Sequence, residues 1–363
     1  MSALLAASPP APQVREQFAA ARAAGRRARD AALHLGLPEG AAIAAHAGLH
    51  AHPLKATPLQ GAWLEMLQAL QACGPLMALT RNEGAVHEKT GIYRNVSASG
   101  PQGRIGIAPG PDIDLRLFFQ QWHAAYAVTE PGRTPQQPSA RSLQFFDAHG
   151  DALHKVYLRE AGDAAAFEAV AARFAQPSAG YVFRPRPPRP LPQPDGAIDA
   201  EGFLQAWAGL QDTHDFFGLL ARFGVARPQG LRLAEGRFAR RIAPDGVAVL
   251  LQAAAATALP IMVFVGNAGC IQIHTGPVRR VEPLETPAAR WINVLDAGFN
   301  LHLRTDRIAE AWAVEKPTAD GVVTAVEVFD ADGEVMAMFF GERKPGRGEL
   351  PGWRALVAGL RAP

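Results

Sequence analysis

The feature that most constrains the fold of this chain is an internal repeat. Three segments of the first half recur in the second half, in the same order and without internal gaps. The matched pairs are 77–91 (MALTRNEGAVHEKTG) with 262–276 (MVFVGNAGCIQIHTG), 114–128 with 300–314, and 145–153 with 328–336. A length of 363 residues accommodates two domains. The sequence therefore predicts two similar halves rather than one undivided core.

A proline-rich segment separates the two copies. Residues 183–199 read FRPRPPRPLPQPDGAID and carry six prolines between Pro185 and Pro194. Proline fixes φ and removes a backbone donor, so this composition excludes helix and favours an extended spacer. The same stretch, PRPPRPLP, is also an alternative docking peptide for an SH3-type partner. We expect a tail (1–14), a first repeat (15–182), a linker (183–199) and a second repeat (200–363), with the tail flexible.

Each half has the same order of elements. Apolar residues recur at three and four in VREQFAAARAAGRRARDAALHLGL and in EGFLQAWAGLQDTHDFFGLL, which predicts helices at the start of each half. Short alternating segments such as DLRLF, LQFFD, FNLHL and VTAVEVFD follow and are typical of strands. Connections of hairpin length favour an antiparallel meander over βαβ units. The predicted fold class is α+β, internally duplicated.

Composition narrows the class of protein. The net charge of +2 gives no support for a nucleic-acid partner. Cys73 and Cys270 lie in apolar stretches without metal-ligand spacing, which favours a reduced, cytoplasmic compartment. The N-terminus has no basic region before its short apolar run, and no stretch of 18 apolar residues is present. We therefore expect a cytoplasmic protein that does not insert into a membrane.

The stretch QDTHDFFGLLARFGV (211–225) is predicted to open a helix with a histidine in its first turn. Asp212 or Thr213 is suited to the N-cap. Phe216 and the apolar residues at helical spacing after it form the core stripe, which places His214 on the opposite face with Gly218. A solvated surface histidine is the ordinary interpretation of such a position.

Arg116 lies in a predicted strand whose two faces differ. Leu115 and its alternate neighbours are apolar, whereas Arg116 and Phe118 share the other face. An arginine beside an aromatic ring suits the wall of a cleft. The alternative is a surface arginine paired with Asp114.

At matched positions of the two repeats the apolar residues are retained, whereas the polar residues differ. The alignment places His302 opposite Arg116, and His274 opposite Lys89. His214 has no histidine counterpart in the alanine-rich first half. This asymmetry favours one composite site over two equivalent sites. Walker, GxGxxG, HExxH and GxSxG motifs are absent from the sequence.

Several longer motifs resemble the bacterial haemin-degrading and haemin-transport family of the HemS/HmuS type. They are TRNEGAVHEKTGIYRN, DIDLRLFFQQW, QFFDAHGDALHKVY, THDFFGLLARFGVAR, IMVFVGNAGCIQIHTGPV and AEAWAVEKPTADGVVTAVEVFDADGE. The resemblance covers nearly the whole chain from about residue 12 and includes the duplication. It implies a cytoplasmic protein with two similar halves, each a large antiparallel sheet flanked by helices, that binds haem b between them.

The resemblance also implies the roles of individual residues. His214 would be the axial ligand of the haem iron, and Arg116 the distal arginine, with Phe118 two residues on. These two, Arg116 and His214, would be the catalytic residues. Arg227 would contact a haem propionate, and Phe264 would line the pocket.

Two positions depart from the family pattern. Relatives often carry a lysine for a second propionate before the tryptophan that corresponds to Trp291, whereas this chain has Ala289 and Arg290. Arg290 is expected to substitute. His274 matches a position proposed for a second haem pocket in some relatives, and a packed strand histidine is the alternative.

Two functions fit these ligands equally. One is oxidative degradation of haem to release iron, with an external electron donor. The other is a haem chaperone that receives haem from an inner-membrane ABC importer and passes it to a haem oxygenase or reductase. Both need the same residues, so the sequence does not choose between them.

Overall fold

The computed structural model describes residues 10–49, 51–132, 134, 136–176, 181–344 and 346–363. Within them the helices are α1 (Ala11–Ala23), α2 (Ala28–His34), α3 (Glu39–Ala44), α4 (Trp63–Ala69), α5 (Ala164–Phe174), α6 (Ala200–Ala208), α7 (Asp215–Phe223), α8 (Arg227–Leu233), α9 (Gly246–Ala256) and α10 (Pro351–Ala358). The strands of the first half are β1 (Lys55–Leu59), β2 (Leu76–Arg81), β3 (Ala85–Gly91), β4 (Ser97–Ser99), β5 (Ile105–Pro109), β6 (Asp114–Phe118), β7 (Ala124–Glu130), β8 (Ala140–Phe146) and β9 (Ala152–Leu158). Those of the second half are β10 (Ala239–Ile242), β11 (Pro260–Gly266), β12 (Cys270–Pro277), β13 (Val281–Thr286), β14 (Ala289–Asp296), β15 (Phe299–Arg304), β16 (Glu310–Thr318), β17 (Gly321–Phe329) and β18 (Val335–Gly341).

The strands form two nine-stranded sheets. Their orders are β1-β7-β8-β9-β2-β3-β15-β14-β13 and β10-β16-β17-β18-β11-β12-β6-β5-β4. The hairpins β8–β9 and β17–β18 are antiparallel, and each turns at a left-handed glycine, Gly150 and Gly333. The predicted α+β class, its antiparallel hairpins and its duplication are thereby confirmed.

Two compact units divide the chain. The first comprises the described residues within 10–79, 90–187 and 268–270. Its main core lies between β2, β8, β9 and the helices α4 and α5, where Leu76, Phe145 and Phe167 are buried. A smaller core below α1–α3 contains Phe18 and Tyr126. The burial of these side chains supplies most of the driving force for folding of this unit.

The second unit comprises residues 80–89, 188–267 and 271–363. One core packs α9 and α10 against the sheet around Val263 and Phe339. The other packs α6, α7 and α8 against the opposite face of β16–β18, around Trp207 and Phe329. This second core carries the helix that bears His214.

The units depart from the predicted halves at two short segments. Residues 80–89 join the second unit because β3 pairs with β15, and because Asn82 Nδ2 donates to the carbonyls of Gly266 and Met336. Residues 268–270 join the first unit, where the Gly269 carbonyl accepts from the Phe118 amide and the Trp122 indole. Local patterning cannot predict such an exchange, because strand partners are chosen by long-range pairing.

The tail is shorter than predicted. Helix α1 begins at Ala11, so residues 11–14, assigned to a flexible tail, are helical, and Val14 and Phe18 are buried on one face of that helix. The segment is rich in alanine and arginine and therefore only weakly amphipathic. Burial of these two side chains nevertheless stabilises the helix. Residues 1–9 of the predicted tail lie outside the described residues.

Of the predicted linker 183–199, residues 184–194 contain no helix or strand, whereas a short 3-10 helix spans Asp195–Ala197, where the proline run has ended. Two of the linker's three arginines form ion pairs within the chain. Arg186 pairs with Asp147 at 2.8 Å and with Asp151, and Arg189 pairs with Glu334 at 2.8 Å. Both arginines of PRPPRPLP are thus paired within the chain, and their side chains remain more than half exposed.

In the part of the chain that the structure describes, every helix is too short or too polar to span a bilayer.

Candidate functional site

Helix α7 is built as the sequence predicts, except at its first residue. His214 itself occupies the N-cap, and the helix runs from Asp215 to Phe223 and is capped by the left-handed Gly224, whose φ is 64°. The predicted caps, Asp212 and Thr213, precede it. The cap shifts because Asp212 folds back to accept the His214 amide at 2.9 Å, which places the histidine at the helix boundary.

The two faces of α7 differ sharply. Phe216, Leu219 and Leu220 are buried, as the apolar spacing predicts. On the other face the His214 side chain is 86% exposed and Phe217 is 77% exposed. An added Cβ at Gly218 would meet nothing within 4 Å. The helix thus offers an open surface with an imidazole, an exposed aromatic ring and no side chain at residue 218.

Asp212 controls the chemistry of the His214 ring. Its Oδ1 lies 2.6 Å from Nδ1 of the imidazole. Hydrogen bonds from the His214 backbone amide and then from the ring hold the pKa of Asp212 below its usual range. A carboxylate can only accept, so Nδ1 donates this hydrogen bond, and in the neutral ring Nε2 is then the nitrogen with the free lone pair. A histidine oriented in this way by a carboxylate is prepared to ligate a metal through Nε2.

Beneath α7, three charged side chains form a compact group, which we call the charge cluster: Arg227, Lys316 and Glu327. Arg227 donates from Nε and Nη2 to the two oxygens of Glu327, each at 2.7 Å. Lys316 Nζ donates to Oε1 of the same carboxylate at 2.7 Å. Burial alone would raise the pKa of Glu327, but the two cations prevail and hold it at about 2.

The charge cluster is joined to α7 through one aromatic ring. Lys316 Nζ lies 4.6 Å, and the Arg227 guanidinium carbon 5.1 Å, from the centre of the Phe216 ring. Phe216 is two residues beyond His214. Cation–π contacts of this kind fix the position of the helix over the cluster.

Phe264 lies on the same side of the sheet as the charge cluster. It is the cross-strand partner of Met338, whose sulfur is 3.4 Å from Arg227 Nη2. Its ring packs edge-on against Phe340, with centroids 5.0 Å apart. The structure therefore brings Arg227, Phe264 and the helix of His214 to one face of the second unit.

Arg116 and Phe118 lie on β6 of the first unit. Leu115 and Leu117 are buried and Arg116 and Phe118 are half-buried, as the alternation predicts. Arg116 Nη1 is paired with Asp114 and also donates to the Leu115 carbonyl at 3.1 Å. The pairing with Asp114 that the sequence offered as an alternative is thus present, and the distal role of Arg116 stays a prediction.

Arg290 is exposed on β14, at the strand end that pairs with Glu285. Its amide donates to Asp306 Oδ1 at 3.3 Å. Its contacts among the described residues do not include α7 or α8. Its predicted role with a propionate is therefore not supported by any contact, and stays a prediction.

His274 is a packed strand histidine. Its ring stacks on Phe299 at 3.8 Å with an interplanar angle of 4°, and the His87 ring lies 4.8 Å from the same phenyl ring. Burial, followed by the charge of Lys89, lowers the pKa of His274 to about 3. This environment matches the alternative given for His274 from the sequence.

The first half lacks the functional pattern of the second. A left-handed glycine follows each of the two helices, Gly36 after α2 and Gly224 after α7. When these glycines are matched, the two helices align with an offset of 188 residues. Arg26 then stands where the second half has His214. Glu39 stands at the first position of the following helix, where α8 begins with an arginine. The asymmetry predicted from the sequence therefore extends to the charge beneath the helix.

Sequence reasoning missed four contributors: the orienting role of Asp212, the exposed Phe217, and the partners Lys316 and Glu327. For Asp212 the signal was a carboxylate two residues before the histidine, which was interpreted only as a helix cap. Lys316 and Glu327 lie in strands with a strong alternating pattern. Nothing local distinguishes a buried ion pair from a solvated charge in such strands.

Comparison with known proteins extends these observations. Residues 36–174 and 224–360 each match the haemin-degrading HemS.ChuX domain. The chain is 39% identical over 351 residues to the hemin transport protein HemS of Yersinia enterocolitica, which covers 95% of this chain and 96% of the relative. It is 38% identical to HmuS of Yersinia pestis, with the same coverage.

Solved structures show the same similarity over nearly the whole chain. Holo-PhuS, a heme-binding protein from Pseudomonas aeruginosa, has a TM-score of 0.91 and 43% identity, covering 97% of this chain and 99% of that chain. ChuS, an E. coli heme oxygenase, has a TM-score of 0.84 and 33% identity, covering 96% and 99%. On the duplicated fold, the domain match to both halves and these identities, the chain belongs to the haemin-degrading HemS.ChuX family.

Proposed function

We propose that this chain is a cytoplasmic haem-binding protein of iron acquisition that degrades haem oxidatively and releases its iron. The observation that carries the proposal is the exposed imidazole of His214 with Nδ1 held by Asp212. Haem iron takes a neutral imidazole nitrogen as axial ligand.

The surroundings of His214 suit a flat, apolar ring with anionic edges. Phe217 offers an aromatic surface, and the absence of a side chain at Gly218 leaves room for a porphyrin to approach the helix. Arg227, with a side chain that is 22% exposed, would supply a donor for a propionate. Phe264 would contribute apolar surface, and Arg290 a further cation.

For degradation, Arg116 would act on the opposite side of the haem from His214. Haem supplies the redox chemistry, together with oxygen or peroxide and an external electron donor. The contribution of Arg116 would be a charge-assisted hydrogen bond toward the oxygen ligand. For that, its guanidinium would need to turn from Asp114.

The second candidate is a haem chaperone, and one observation favours it. The structure with 43% identity is that of a heme-binding protein, whereas the heme oxygenase matches at 33%. In this case His214 and Arg116 would hold haem reversibly between an inner-membrane ABC importer and a haem oxygenase or reductase.

Absorption spectroscopy separates the two. Purified protein is titrated with haemin, then given a physiological reductant with catalase present. A Soret band that decays with release of iron supports degradation. A stable band, lost only when a haem oxygenase is added, supports the chaperone. Failure to form a Soret complex refutes both.

A further inference from the structure

The charge cluster beneath α7 is not electrically balanced. Two cations, Arg227 and Lys316, share the single carboxylate of Glu327. The Glu327 side chain is fully buried and that of Lys316 is 3% exposed, so solvent does not screen the surplus positive charge. Burial, together with repulsion from Arg227, lowers the pKa of Lys316 against the attraction of Glu327. A second anion at this place would balance the cluster.

Only Arg227 is placed to receive that anion. Its side chain is 22% exposed, whereas the other two are enclosed. Its Nε and Nη2 are engaged, and in the part of the chain described no group accepts from Nη1. The arginine therefore has one side on Glu327 and another open to a ligand.

We propose that Arg227 exchanges Glu327 for a haem propionate when haem binds, and that Lys316 permits the exchange by remaining on Glu327. Lys316 is a positioning residue, since it touches neither iron nor porphyrin in this account. The inference rests on the proposed function, because it takes haem as the anion. It goes beyond that function because it makes the affinity for haem depend on Lys316, a buried residue.

The role of Lys316 follows from the cost of leaving a carboxylate alone. When Arg227 turns toward a propionate, Glu327 keeps the 2.7 Å hydrogen bond from Lys316 Nζ and remains paired. Without the lysine, the same movement would leave a fully buried, unpaired carboxylate next to its cross-strand neighbour Met338, which is strongly unfavourable. Arg227 would then stay paired with Glu327 and would not be available to bind the propionate.

The first unit shows that this arrangement is not a general feature of the fold. The matched position of Arg227 is Glu39, which pairs with Lys155 at 2.5 Å. That cation and carboxylate are both buried and balance one another. An acidic residue at the head of the helix would repel a propionate. The surplus of positive charge is therefore specific to the half with the histidine.

The test compares haem with its dimethyl ester, which has the same iron and ring but no propionate charge. Dissociation constants are measured by Soret titration for wild type, Lys316→Met and the double variant Lys316→Met/Glu327→Gln. We expect Lys316→Met to weaken haem binding about tenfold or more, the value of a hydrogen bond to a charged group, with little change for the ester. The double variant, which frees Arg227 from any carboxylate, should recover the affinity for haem.

Lys155→Met is the matched control, because it removes a buried, ion-paired lysine from the first unit. It should leave the ratio of the two affinities unchanged. Equal weakening of haem and ester by Lys316→Met, no weakening of either, or no recovery in the double variant would overturn the role of Lys316. Wild-type protein that binds neither porphyrin would instead overturn the proposed function.

Discussion

Acidification provides a quantitative test of the packing, because four histidines are buried in neutral form. Burial lowers the pKa of His46 to about 4, and the pKa values of His154 and His274 to about 3. Burial, with the charges of His274 and Lys89, also lowers the pKa of His87. A depressed histidine pKa means that the unfolded chain binds protons first, so stability is complete above pH 6.5 and falls as the pH drops toward 3–4.

The size of the effect follows from the pKa difference. At pH 5 an unfolded histidine with a pKa of 6.5 gains about 2 kcal/mol from protonation that a buried one does not. His46 and His154 belong to the first unit, which should lose about 4 kcal/mol between pH 7 and pH 5. His87 and His274 impose a similar loss on the second unit. A loss of this size is a large part of the stability of an ordinary domain.

Urea denaturation followed by circular dichroism at pH 7, 6 and 5 measures this loss. His154→Phe should reduce the pH dependence by about one proton, although it removes the hydrogen bond from the Tyr93 hydroxyl. His123→Phe is the matched control, because its ring is only half-buried and its Nε2 lies 3.0 Å from the Val182 carbonyl. Unfolding midpoints that stay constant from pH 7 to pH 5 would refute the argument.

Three further predictions concern the site. Asp212→Ala should weaken haem binding about 10- to 100-fold in a Soret titration with the helix content of apo protein retained; unchanged affinity would contradict the orienting role of Asp212. Gly218→Leu should leave the urea midpoint equal or higher, because nothing lies within 4 Å of its Cβ position, yet reduce haem affinity at least about tenfold; normal haem binding would show that the porphyrin does not approach this face. Glu327→Ala should lower the free energy of unfolding by about 3–5 kcal/mol, since it leaves the buried Lys316 and the half-buried Arg227 without their carboxylate; a change below about 1 kcal/mol would mean that solvent reaches the cluster.

Much of the fold was predictable because the repeated motifs encode it locally. The turns at Gly150 and Gly333 and the alternation around Leu115 each depend on neighbours in sequence. The exchange of residues 80–89 between units was not predictable, because it depends on Asn82 reaching carbonyls about 180 and 250 residues away.

The candidate site was likewise predictable only in part. The exposed face of α7 follows from helical periodicity, so the position of His214 was predictable. The charge cluster was not, because periodicity places Glu327 on a face of β17 without saying that α8 brings Arg227 to it. The shift of the cap to His214 depends on one side chain folding back, which propensity does not resolve.

The central claim is a bond between His214 Nε2 and haem iron, and a crystal structure of the haemin complex tests it most directly. We predict that iron is ligated by Nε2 of His214 while Nδ1 keeps its hydrogen bond to Asp212. Iron ligated by His87 or His274, or a His214 ring still directed to solvent beside a bound haem, would contradict the claim.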